Sequence, residues 1–234
     1  MSIDSRIYDA IENNSSITNK AWFNEKLQFA KSIYSVYDVD YNYDNILDIV
    51  KNIKIIEEDA QQNIHYDRKL NTLVIDKNSK NIEFELCKSF LEITSQSYDE
   101  KSNTYNSGIT FTDEDGNELG KKINDILIDE LITINTGLSL DDDQELTAIN
   151  PLDTIVKDML SITGTNNLIT YFAFGQGKIL FEHISSVIGY DNAKQFYKCI
   201  DNYEKNPALN KIVYDLCINA LLNAKENNNT MSKM

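Results

Sequence analysis

Proline occurs twice and glycine eight times in 234 residues. β-Sandwiches and barrels draw on these residues for their many turns, so their scarcity points to long helices. Cysteine is equally thin. Cys87, Cys199 and Cys217 form an odd set with no close pair, which excludes a disulfide framework and a paired-cysteine zinc site. All three fall in helix-like segments and read as small buried hydrophobes. The two histidines, His65 and His183, stand alone, and each reads as a surface or hydrogen-bonded residue. No run reaches the ~18 apolar residues of a membrane span. No apolar run follows Met1–Arg6, so no signal peptide is read, and the expected location is cytoplasmic.

Positive charge is also in deficit. Lys and Arg total 22 against 37 Asp and Glu, a net −15. A phosphate backbone or an anionic membrane surface demands the opposite sign, so neither nucleic acid nor membrane is expected as a partner. Such acidity favours solubility and a basic partner. What remains is ordinary: 41% apolar and 25% charged residues, in a chain long enough to bury a core.

Several motifs are missing. There is no phosphate-binding Gly-x-x-x-x-Gly-Lys loop, no Gly-x-Gly-x-x-Gly and no Gly-x-Ser-x-Gly elbow. Gly175-Gln176-Gly177-Lys178 reads as a turn between helices. Asp113-Glu114-Asp115-Gly116-Asn117-Glu118 has its glycine fourth and Asn124 at position twelve. A calcium loop needs glycine sixth and a closing glutamate, so this is an acidic tight turn. Asp141-Asp142-Asp143 reads as a solvated turn or cap.

Periodicity then organises the chain. Helices are predicted over 4–12, from a Thr18 cap to about Tyr37, and over 44–51. Strands are predicted at 53–57 and 72–76, separated by a polar stretch, 61–69. Ser79 or Asn81 caps a helix with Ile82, Leu86, Phe90 and Ile93 on one face. A loop is expected over 96–103 and one strand over 105–111. A helix over 119–136 turns Ile123, Ile126, Leu127, Leu131 and Ile134 inward. Residues 139–150 read as an acidic loop, and Pro151 suits the first turn of the next helix. Residues 166–174 form a short apolar stretch, and helices follow over 177–188, 191–203 and 207–225. The expected class is helix-rich α+β, with short strands in the first half and an all-helical second half. One domain spans 1–226, with 1–78 carrying N-terminal helices and strands and 79–226 a helical core; 227–234 is a polar, disordered tail.

Phe84-Glu85-Leu86-Cys87-Lys88 resembles the His-Glu-Leu-x-His zinc helix of gluzincin-like metallopeptidase-fold proteins of Firmicutes. Tyr98-Asp99-Glu100-Lys101 and Tyr105-Asn106-Ser107-Gly108 resemble the tyrosine-rich loop and short strand that follow it. Gly120-Lys121-Lys122-Ile123-Asn124-Asp125 resembles the later Gly-x-x-Leu-Asn-Glu helix start, whose glutamate is the third zinc ligand. The likeness covers about residues 50–205, and specificity rests in the two helix motifs. It implies a zincin-like fold.

The chain departs from that pattern where the chemistry is done. Two histidines at i and i+4 hold zinc, and the intervening glutamate polarises the attacking water. Phe84 stands at the first ligand position and cannot ligate. Lys88 stands at the second, and its ammonium repels a dication. Asp125, one methylene short, stands at the third. Of the four, Glu85 alone matches. The resemblance therefore implies a pseudo-enzyme with no metal and no cofactor, in which Lys88 pairs with Glu85 and Asp125 in place of the metal's charge. Its expected role is a binding or structural module whose former cleft takes a peptide or protein segment. Two rivals are an acidic immunity or inhibitor protein for a basic partner, and a hydrolase with an acidic site that Glu85→Gln would silence.

Overall fold

The computed structural model describes residues 4–40, 42–59, 64–100, 103–138 and 154–231, with side chains up to residue 226. The chain opens on three helices, α1 (Ser5–Asn13), α2 (Lys20–Val36) and α3 (Tyr43–Asn52). Asp4 caps α1, its side chain accepting from the Arg6 N–H. Asn19, rather than the expected Thr18, caps α2 by accepting from the Trp22 N–H at 3.1 Å.

A small mixed sheet follows. It contains β1 (Lys54–Glu58), β2 (His65–Asp67) and β3 (Thr72–Asp76), in the order β1-β3-β2. β1 runs parallel to β3 and β2 antiparallel to it. The expected strands at 53–57 and 72–76 match β1 within a residue and β3 outright. β2 lies in the stretch read as merely polar; Tyr66 is its one buried residue, too short a pattern to show alternation.

Helix α4 (Ile82–Thr94) packs on α2, on β2 and on α5 (Lys121–Thr136). Between α4 and α5 lie two hairpins, β4 (Gln96–Asp99) with β5 (Thr104–Ser107), and β6 (Phe111–Thr112) with β7 (Glu118–Leu119). Two expectations need correction here. The 96–103 loop is in part a strand, since Gln96, Ser97, Tyr98 and Asp99 pair across to β5 without any apolar alternation. The single strand expected over 105–111 is cut in two at Gly108, whose φ of +57° no extended strand tolerates. The acidic turn 113–117 forms as expected and joins β6 to β7.

The described second half is helical: α5, α6 (Ile155–Thr163), α7 (Thr165–Ala173), α8 (Gly177–Ile188), α9 (Tyr190–Asp201) and α10 (Pro207–Met231). α5 starts two residues later than expected, because Leu119 belongs to β7. Its buried face is also rotated: Ile128 and Ile132 are buried while Ile134 is 63% exposed. α10 continues to Met231, into the segment expected as a tail. The acidic loop, Asp141–Asp143 and Pro151 lie outside the described residues. One continuous apolar core links both halves, from Ile7 and Phe23 through Phe90 and Leu127 to Phe172 and Leu221. The three cysteines are free and buried, as their helical setting predicts. No described helix is long and apolar enough to cross a membrane.

Candidate functional site

The two helices of the resemblance, α4 and α5, pack against each other, and their facing residues make the site. On α4, Lys88 and Glu92 are four apart and share a face; on α5, Asp125 and Asp129 do the same. The Lys88 ammonium lies 3.3 Å from Asp125 Oδ1 and 3.4 Å from Asp129 Oδ1, with its side chain 29% exposed. Burial works against that charge, but Asp125, Asp129 and Glu92 outweigh it and hold the amine above its usual range. Asp129 is raised by its own burial, with Lys88 opposing.

Backbone contacts set α5 in place. Gly120 adopts a left-handed conformation ahead of the helix. Its N–H and that of Lys122 donate to the two carboxylate oxygens of Asp201 on α9, at 2.8 and 2.9 Å. An acidic side chain from another helix thus caps the positive end of α5. One turn in, buried Asn124 accepts from the Ile109 N–H at 3.0 Å, while its neighbour Asp125 reaches Lys88. The Gly-x-x-Ile-Asn-Asp sequence therefore has a local reason: a turn, a buried clamp and a carboxylate facing α4.

The other two predicted residues go elsewhere. Phe84 is buried in the core. Glu85 does not join Lys88, contrary to expectation. Its Oε2 accepts from Ser79 Oγ at 2.7 Å and from the Ile64 N–H at 2.9 Å, tying the turn before α4 to the start of β2. Four of the described residues therefore converge as Lys88, Glu92, Asp125 and Asp129. Of these, Asp129 was legible as a face-mate of Asp125, and Glu92 was missed although its i+4 spacing from Lys88 marks it.

Glu92 is the most perturbed member. Burial lifts its carboxyl to about 7, Asp125 and Asp129 adding and Lys88 and Arg68 opposing. The unshifted value is 4.5, so the folded state holds this proton more tightly than the unfolded one. Stability from it is full below about pH 4.5 and is lost as pH rises through about 7. Glu92→Gln should then be more stable than the parent by about 1–2 kcal/mol at pH 8, partial solvent screening being allowed for, and equal to it at pH 4. Urea melts at the two pH values check this; a constant difference would sink it.

Chemically, the cluster neutralises charge across a helix pair. Among the described residues no group of three or more His, Cys, Asp and Glu side chains is arranged to hold a metal ion. His65 and His183 are exposed and far apart in the chain. The Asp113 turn is engaged in its own hairpin and with Lys194 of α9. No protein-family model, no curated protein and no solved structure matches the chain. Its class is thus defined by architecture, a helix-rich α+β protein with three small sheets among the described residues.

Proposed function

We propose that this chain is a non-catalytic, gluzincin-like scaffold that works as a binding or structural module, with the Lys88 ammonium in place of a metal. One observation carries the reading. Lys88, at the second-ligand position of the resemblance, ion-pairs with Asp125, at the third-ligand position, across α4 and α5. Phe84, at the first, is built into the core, and Glu85 is committed to Ser79 and Ile64. A lysine there satisfies carboxylates that a divalent ion would otherwise hold, at the desolvation cost of a half-buried pair.

Native mass spectrometry of untagged protein tests the metal side. The expected spectrum is metal-free and unchanged by added zinc; a stoichiometric metal would overturn the reading. A constructive variant adds force: Phe84→His with Lys88→His and Asp125→Glu should bind one zinc ion if the helices carry the zincin geometry. Lys88→Ala should destabilise by about 1–2 kcal/mol, leaving Asp125 and Asp129 without the ammonium they pair with, whereas Lys178→Ala at an exposed site should stay within about 0.5. Equal melting temperatures for the two would remove Lys88 from the account.

The net charge of −15 favours a second reading, an acidic protein that neutralises a basic partner. Binding that weakens steeply with salt would mark that role.

A further inference from the structure

A second cleft lies between β2 and the two hairpins, with a volume of about 720 Å³. That is within the ~300–1,000 Å³ range of small-molecule sites. Its wall is an aromatic pair. Tyr98 and Tyr105 face each other across β4 and β5, with ring centroids 4.9 Å apart. They are 47% and 45% exposed, although burial of rings is what ordinarily stabilises a fold. The pair is also held in position: the Tyr98 hydroxyl donates to Asn103 Oδ1 at 2.5 Å. Deeper in, buried Tyr66 keeps its phenol 2.8 Å from both Gln96 Oε1 and Asn71 Oδ1.

The charges of the cleft decide what it suits. Its lining holds two cations, Arg68 and Lys69, and two anions, Asp67 and Glu118. Arg68 is bonded to Glu118 at 2.6 Å, and Asp67 Oδ1 accepts from the Lys69 and Leu70 N–H groups. In a chain of net −15, this lining sums to zero. An ionic ligand would meet no net charge in the lining. Hydroxyls complete the surface, with Thr104 and Thr112 3.1 Å apart. The rings are tilted by 46° to one another, and the π-face of each attracts the weakly positive C–H face of a sugar ring, while mixed donors and acceptors match its hydroxyl rim.

We infer that this cleft binds a neutral oligosaccharide, seated on Tyr98 and Tyr105 and hydrogen-bonded by the polar residues around them. The site is independent of the zincin-like reading, since none of its residues belongs to the Lys88 cluster.

Saturation-transfer NMR with maltotriose, cellotriose and tri-N-acetylchitotriose, each at about 10 mM, tests it on the full chain. At least one of the three should receive saturation. The Tyr98→Ala, Tyr105→Ala double variant should weaken that binding by about tenfold or more, while Tyr98→Phe with Tyr105→Phe keeps it within about threefold, because stacking survives. Tyr8→Ala, an exposed tyrosine on α1, should change nothing. Silence from all three sugars overturns the proposal. So does binding that the double alanine variant leaves unchanged, or tighter binding of a uronate trisaccharide than of the neutral ones.

Discussion

Gly108→Ala should destabilise this protein by about 4 kcal/mol or more, a large share of the roughly 5–15 kcal/mol that holds a domain folded. Three costs coincide. Gly108 has φ +57°, a left-handed backbone that costs an L-residue about 1–2 kcal/mol. A Cβ there would lie 2.0 Å from Asn124 Oδ1, the oxygen that accepts from the Ile109 N–H. Displacing it orphans a buried donor, at about 1–3 kcal/mol. The same Cβ would lie 2.6 Å from the Phe172 ring, which is fully buried, and overpacking adds about 1–3 kcal/mol. Gly116 is the control. Its φ is +80°, but nothing lies within 4 Å of an added Cβ, so Gly116→Ala should cost only about 1–2 kcal/mol. Urea melts of the two variants separate space from backbone; equal losses would mean that Asn124 and Phe172 yield freely.

Asp113→Ala should follow, at about 3 kcal/mol. The carboxylate is 2% exposed and lies 2.9 Å from the Lys194 ammonium. Its Oδ1 also accepts from the N–H groups of Asp115 and Asn117, at 3.0 and 2.8 Å. One side chain thereby closes the β6–β7 turn and fastens it to α9. Removing it strips charge-assisted bonds from part-buried donors. Burial alone would raise this carboxyl, but the Lys194 and Asn117 bonds outweigh it and hold it down near 2, below the ordinary 3.8. The folded pKa is depressed, so the stability is present above about pH 4 and is lost as pH falls through about 2. From the shift alone it amounts to about 2 kcal/mol. The gap between parent and Asp113→Ala should therefore be widest at neutral pH and shrink in acid melts below pH 4. A gap that persists at pH 2 would assign the loss to packing instead.

Much of the fold was legible where side-chain period carried it. Helix α2, helix α4 and strand β3 show clear apolar spacing, and their bounds fall close to prediction. β4 was illegible because Gln96, Ser97, Tyr98 and Asp99 owe their pairing to β5, not to their own pattern. The single strand over 105–111 failed at one glycine whose conformation depends on Asn124 and Phe172, both remote in sequence. In the site, Lys88 and Asp125 were legible from two motifs and do meet. Glu85 was not, because its two donors, Ser79 Oγ and the Ile64 N–H, reach it through the β3–α4 turn and the start of β2. No local signal marks Asp201, which acts on α5 from 81 residues away.

That last contact sets an order of assembly on the ribosome. The N-terminal end of α5 is completed by a carboxylate that is not yet made when α5 emerges. At about 5–20 residues per second, the intervening 81 residues take about 4–16 s to synthesise. Through that interval α5 has its positive terminus open to solvent, and the Lys88 pairing leans on a helix still able to fray. The nascent chain finishes its central helix pair only once α9 has arrived.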